Sequence, residues 1–438
     1  MLLVRRARVP VALLPASMVS DPIDPLEPAQ LCDITIAGNA ITAVSPASAS
    51  APLPDSDSSA TVIDVAGALV IPAFVDAHVH LDKTHTWHRA PNRSATFMDA
   101  LESLHRDSVN WTEADLLRRA RFALRCAWAH GTRAIRTHLD TGPLSEISHA
   151  TMAALRTEWR GRITLQTVPL GGGPAYATSD GERIADLALR HGATALGGFF
   201  TMSAELPTQL DRLLAIARDR GVGIDLHVDE NGEANAEVLR HVAEAVLRSE
   251  FPFPVICGHC CSLATQPIER ARSTIALVKA ARIGIISLPL CNLYLQDRRG
   301  AGNDFPRSPL WRGLTLIRDF LDAGVPVACA SDNVRDAFYA FGDYNLAEVY
   351  TQSVRLAHLD GPGLCDSINV VTRTAADLIG LPDLGHIAPG ARAHLNVFST
   401  HRFSELLSRP DAARRCIDGE SVHQPTLPDF SELQDRSA

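Results

Sequence analysis

The sequence predicts a (β/α)8 TIM barrel flanked by a small discontinuous β-sandwich domain built from both ends of the chain. Three patterns carry this. From residue 74 onward, apolar β-branched runs alternate with amphipathic helical stretches through about eight units in roughly 260 residues, which fits a closed barrel better than a doubly wound sheet. Before residue 70 there are only short strand-like pieces. Near the other end, Ala393-His-Leu-Asn-Val-Phe398 reads as one more strand returning to the first part of the chain. The expected division is 1–70 with 386–438 as the small domain and 71–385 as the barrel.

In order, the chain opens with Met1-Leu-Leu-Val-Arg-Arg-Ala-Arg-Val-Pro10. This has some likeness to a signal peptide, but Pro10 and Pro15 interrupt the apolar run, and Leu2, Val4 and Val9 suit a strand. Asp33-Ile-Thr-Ile-Ala37 and Ala40-Ile-Thr-Ala-Val44 are further strands, followed by a Ser-, Ala-, Pro- and Asp-rich loop over 45–60. The eight barrel strands are expected at 74–80, 134–139, 163–170, 195–200, 223–228, 254–260, 283–288 and 325–331. The clearest helices fall at 113–129, 182–190, 206–220 and 234–248.

Bulk properties narrow the function. Of 438 residues, 46% are hydrophobic and 21% charged, as in ordinary globular proteins. A net charge of −9 argues against nucleic-acid and anionic-membrane partners. No run approaches the roughly 20 apolar residues of a membrane-spanning helix. Nine scattered cysteines suggest a reducing compartment, hence a cytoplasmic location. Barrels of this size are compatible with homo-oligomers.

Chemistry concentrates where the expected strands end, which is where barrel active sites lie. The first strand ends with His78 and His80, two apart and so on one face. The second ends with His138, the fifth with His227 and then Glu230, the sixth with His259, and the eighth with Asp332 and Asn333. Three histidines and a carboxylate can hold one Zn²⁺ or Fe²⁺ and lower the pKa of a bound water toward neutrality. Glu230, three residues beyond a histidine, is placed to carry a proton. The fourth strand, Ala195-Leu-Gly-Gly-Phe-Phe200, ends without a Lys, Glu or Cys to bridge two metals, so a single ion is expected. Cys257-Gly-His-Cys-Cys261 lacks structural-zinc spacing. The nucleobase-editing signature His-x-Glu with Pro-Cys-x-x-Cys is absent. Gly171-Gly-Gly173 has no following Gly-Lys-Ser/Thr, so it reads as a flexible substrate loop.

Together, Pro72-Ala-Phe-Val-Asp-Ala-His-Val-His-Leu-Asp82, Arg136-Thr-His-Leu-Asp140, His227-Val-Asp-Glu230, Gly258-His259 and Ala330-Ser-Asp-Asn-Val-Arg-Asp336 resemble the amidohydrolase superfamily, specifically its cytosine deaminase-like branch. The resemblance runs from the first strand to about residue 400. It implies that His78, His80, His227 and Asp332 hold the metal and that Glu230 passes a proton to a ring nitrogen. It also implies that His259 hydrogen-bonds the attacking hydroxide and that Asp332 takes its proton.

Two positions depart from that branch. Leu170 stands where cytosine deaminases carry a glutamine that reads the pyrimidine edge, and Asn333 stands where they have a second acid. The segment 330–336 is closer to the N-isopropylammelide amidohydrolases, which lack the glutamate present here as Glu230. Phe338 occupies the place of a ring-stacking aromatic, and His138 is the remaining candidate contact to substrate. Lys83 and His85 are expected to be solvated or to support the site from behind.

The expectation is a mononuclear hydrolytic deaminase of an amino-substituted N-heterocycle, such as a pterin or an isocytosine-like ring. The alternatives are an amidohydrolase that removes an alkylamine or opens a cyclic amide, and a non-catalytic binding protein on the same scaffold.

Overall fold

The computed structural model describes residues 1–19, 26–47, 61–142, 144–298, 308–411 and 413–434. Most of the expected 45–60 loop therefore lies outside the described residues. Two compact units emerge: Met1–Val75, Trp128–Arg133 and Leu346–Leu427 form one, and Asp76–Ala127, Ala134–Asn345 and Pro428–Ala438 form the other.

The first unit holds two four-stranded sheets drawn from both termini. One orders Ala40–Pro46, Ala29–Ala37, Leu2–Pro10 and Thr61–Asp64; the other orders Ser421–His423, Arg414–Asp418, His394–Phe398 and Val70–Pro72. The chain opening is thus a strand, with Leu2, Val4 and Val9 fully buried.

The eight-stranded sheet runs in sequence order through Phe74–Val79, Thr132–Asp140, Thr164–Gly172, Ala195–Phe200, Gly223–Val228, Val255–His259, Gly284–Ser287 and Val327–Cys329. From Thr132–Asp140 through Val327–Cys329 each strand pairs in parallel with the next. A parallel bridge between Val79 and Asp332 joins the first strand to the residues following the eighth. This is the TIM barrel expected from the sequence. Strands buried on both sides read as near-continuous apolar runs, which is why they were visible. Alternation still sorts their faces: in Gly223–Val228, Ile224, Leu226 and Val228 share one side and Asp225 and His227 the other.

Two local features differ from expectation. The fifth-strand helix begins at Val238, not near 234, because Asp229 caps it: its two carboxylate oxygens each accept a backbone N–H, from Val238 and Leu239, at 2.9 Å. The residues in between are left as loop facing the site. The three glycines after the third strand are no flexible loop. Gly171 and Gly172 continue the strand, and Gly173 opens the short helix Gly173–Tyr176. A Cβ on Gly173 would sit 2.5 Å from Gln209 Oε1 and 2.9 Å from Phe200 Cδ1, so packing requires the glycine.

The fourth strand is held closely by its neighbours at Gly197. A Cβ there would meet Val168 Cγ1 at 2.4 Å and the backbone oxygens of Asp225 and Pro169 at 2.6 and 2.7 Å. Neither oxygen can withdraw without disturbing a strand that carries the site. Gly197→Ala is expected to cost about 1–3 kcal/mol of stability through overpacking. The readout is the urea unfolding midpoint, and an unchanged midpoint would show that the strands yield more easily than this packing implies.

Candidate metal centre and active site

The barrel interior brings His78, His80, His227 and Asp332 to one place. His227 Nε2 lies 3.0 Å from His78 Nε2 and 3.3 Å from His80 Nε2. Asp332 Oδ1 lies 3.2 Å from His80 Nε2 and 3.7 Å from His78 Nε2. Tetrahedral ligands at 2.0–2.1 Å from one ion stand about 3.3 Å apart, so these separations suit a shared divalent metal. Asp332 is fixed by its backbone: its N–H donates to the His78 carbonyl at 2.9 Å, and its φ of 63° turns the chain out of the strand. Beside it, Asp76 accepts the Ser331 N–H at 3.0 Å, and burial pushes the Asp76 carboxyl up to about 7.

The donor set has the right chemistry for an ion. Burial, reinforced by the neighbouring imidazoles, drives the protonation of His78 and His227 well below the ordinary range. Burial followed by the charge of Lys83 does the same to His80. All three are neutral at pH 7, as metal ligation requires. Among the described residues neither Asp332 oxygen accepts an N–H or O–H hydrogen bond, although the residue is fully buried. An unsatisfied buried carboxylate facing three imidazole nitrogens is costly unless a cation completes it. His138 is also near, with its ring centroid 4.0 Å from that of His78, and His78, His138 and His227 form a second group of donors.

Glu230 and His259 stand at the rim of this cluster. His259 Nδ1 lies 3.1 Å from Asn292 Nδ2 and 3.4 Å from Glu230 Oε1, while its buried Nε2 has no hydrogen-bond partner among the described residues. Asn292 also donates to Glu230 Oε1 at 3.4 Å. Burial, with the Asp332 carboxylate adding to it, raises the Glu230 carboxyl well above the usual range. Burial lowers the His259 imidazole to about 4. Like Asp332, His259 adopts a left-handed backbone, with φ of 67°.

A cavity of about 850 Å³ opens above these groups, lined by His80, His227, Glu230, His259, Leu170, Asn333 and Phe338 among others. Its outer wall is apolar, with Phe97, Met98, Phe199 and Met202 exposed at the mouth. Phe338 meets Phe97 edge to face at 5.6 Å. Asn333 Nδ2 donates to Asp336 at 2.7 Å, and Asp336 in turn accepts the backbone N–H groups of Phe338 and Tyr339, so one carboxylate shapes the loop that presents the aromatic ring.

Two placements differ from the sequence reading, and a third falls within it. His138 is absent from the cavity lining; it is fully buried, with Nε2 3.3 Å from Asp225 Oδ1, which places it behind the candidate ligands and away from substrate. Lys83 is not solvated: it is buried on the cavity wall, 2.7 Å from Asp140. His85 is buried against Phe122 and does not line the cavity. Asp225 and Asn292 were not singled out from the sequence. Asp225 had a signal, standing two before His227 on the same strand face. Asn292 had none, because it lies on a short helix after the seventh strand.

Residues 112–422 match the model of the amidohydrolase family. The chain belongs to that family. A pterin deaminase of Rhizobium rhizogenes is 44% identical to this amidohydrolase over 374 residues, covering 84% of each chain. An N-isopropylammelide isopropyl amidohydrolase of Pseudomonas sp. (strain ADP) is 25% identical over 77% of this chain and 81% of its own. Among solved structures, 5-methylcytosine deaminase from Klebsiella pneumoniae superposes with a TM-score of 0.83, covering 98% of each chain at 23% identity, and shows the shared fold. No described helix is long and apolar enough to cross a membrane.

Removing one imidazole from the ligand cluster tests the centre directly. The parent amidohydrolase is expected to carry about one divalent ion per chain, and His227→Ala to fall below about a tenth of that by elemental analysis. Full metal content in the variant would place the ion elsewhere.

Proposed function

We propose that this amidohydrolase is a mononuclear metal-dependent deaminase of an amino-substituted N-heterocycle, of the pterin type, releasing ammonia. The observation that carries the reading is Glu230 beside His259, both facing the cavity next to the His78–His80–His227–Asp332 cluster. The pterin deaminase relative points to the ring class. His78, His80, His227 and Asp332 would hold the ion, Zn²⁺ or Fe²⁺, which supplies Lewis-acid activation of water when bound.

The protein's own groups account for the remaining chemistry. His259 Nε2, buried and without a partner among the described residues, holds the attacking water, while the Asn292 N–H fixes the ring by donating to Nδ1. Glu230 hands a proton to the ring nitrogen beside the carbon that bears the amine, making that carbon a better electrophile. Asp332 receives one proton from the attacking water and returns it to the departing ammonia, and the proton left on that oxygen goes back to Glu230 as the ring carbonyl forms. Phe338 packs against the ring face, Leu170 lines the wall, and Asn333 steadies the Asp336 loop. His138 positions the ligand cluster from behind. The ligand is a small molecule, the protein acts without nucleic acid or membrane, and its location is cytoplasmic.

Ammonia release from pterin, isocytosine, cytosine and aminotriazines is the test, with Glu230→Gln alongside. Ammonia from the pterin is expected, and Glu230→Gln is expected to lower kcat by about 10²–10⁴ with its metal retained. Release of an alkylamine from an N-alkylated ring, with no ammonia from any primary amine, would instead favour the reaction of the ammelide relative.

The pH dependence follows from the raised Glu230 carboxyl. The protonated form donates to the ring, and raising its pKa keeps that form populated beyond the ordinary carboxyl range. The parent is expected to lose kcat as pH rises through the raised value, and Glu230→Gln to lack this limb in a pH–rate profile. An identical alkaline limb in the variant would assign the ionisation to another group.

A further inference from the structure

Lys83 poses a question that the reaction above leaves unanswered. An ammonium group is rarely buried without strong compensation, because desolvation costs several kcal/mol. Here the side chain is 4% exposed and lies on the cavity wall beside His80. Its one hydrogen bond among the described residues goes to Asp140 Oδ1, at 2.7 Å. Its Nζ also stands 5.5 Å from the centre of the Phe338 ring, the ring proposed to pack on substrate.

Asp140 is held equally firmly. It ends the second barrel strand, its N–H donates to Asp82 Oδ2 at 2.8 Å, and its side chain stays 29% exposed on the cavity wall. Although burial opposes it, the carboxylates of Asp140 and Asp82 raise the Lys83 ammonium above its ordinary range, so it is charged at any working pH. The cavity wall therefore presents a fixed donor next to a fixed acceptor.

That couple has a natural complement. In a ring lactam, C=O and N–H share one carbon, and bond lengths of 1.23 and 1.33 Å put oxygen and nitrogen about 2.2 Å apart. The 2.7 Å spacing of Lys83 Nζ and Asp140 Oδ1 lets one group donate to the oxygen while the other accepts from the nitrogen. A carboxamide side chain offers the same pair of functions, and on this wall Leu170 offers neither.

We propose that Lys83 and Asp140 read the lactam edge of the substrate, Lys83 donating to the ring oxo oxygen and Asp140 accepting the adjacent ring N–H. The pair sets specificity for oxo-bearing aminoheterocycles over rings that lack the oxo group. This rests on the deaminase reading for its reaction, but not for its binding chemistry.

The test compares parent, Lys83→Met and Asp140→Asn on 2-amino-4-oxopteridine and 2-aminopteridine, which differ at the lactam edge. In the parent, kcat/KM is expected to favour the oxo compound by about 100-fold or more, since the analogue offers Lys83 no oxo acceptor and Asp140 no ring N–H on a wall built to bind both. Lys83→Met is expected to bring the two compounds within a few-fold, and Asp140→Asn to narrow the gap by about 10-fold. A parent-like preference in both variants overturns the inference, and either variant alone decides it if the other does not fold. Calorimetric binding of 2,4-dioxopteridine needs no turnover and separates the two readings. Lys83-dependent binding without ammonia release would sink the deaminase and keep the lactam reader. Ammonia release with binding unchanged in Lys83→Met would do the reverse.

Discussion

The backbone hydrogen bond from Asp332 N–H to the His78 carbonyl, with the Val79–Asp332 bridge, is the contact on which the site depends. It links the two ends of the barrel sheet at the level of the proposed metal ligands. The same short stretch brings His78 and His80 from the first strand beside the carboxylate that follows the eighth. His227, four strands away in the sheet order, completes the cluster because parallel pairing keeps the strand ends level. A barrel that did not meet here would leave three imidazoles without their carboxylate.

Charge balance explains why this cluster stands apart from the rest of the interior. Several other buried acids of the barrel unit have partners on at least one oxygen: Asp225 has Arg136 at 3.0 Å, Asp229 the helix it caps, and Asp336 a side-chain amide and two backbone N–H groups. Asp332 differs: among the described residues neither oxygen accepts an N–H or O–H hydrogen bond, and the Cys291 thiol lies against it. Unsatisfied polar atoms are tolerated where function needs them, and here they face neutral imidazoles across a distance that one cation would fill. The left-handed backbones of His259 and Asp332 are of the same kind, since strained conformations persist at sites whose surroundings over-determine them.

Much of this was legible in the sequence. Barrel strands stand out as apolar runs, and the two-residue period alone puts His78 with His80. Helix limits were harder: a carboxylate nine residues upstream caps Val238, and no local pattern announces it. Lys83 was misjudged for a related reason. A lysine after a strand is usually solvated, and the Asp140 that buries it lies 57 residues further along. His138 looked like a substrate contact because its strand end was right, but only three dimensions show Asp225 and His78 occupying its ring. The glycines at 171–173 read as mobile, whereas Gly171 and Gly172 continue the third strand and packing against Phe200 and Gln209 demands a glycine at 173.

The most direct measurement is anomalous X-ray diffraction from crystals of the metal-loaded protein, collected across the Zn and Fe absorption edges. The account predicts one strong peak within bonding distance of His78, His80, His227 and Asp332, with Glu230 outside the coordination sphere and facing the cavity. A peak ligated by Glu230, a second peak of equal strength, or no peak among these residues would contradict it.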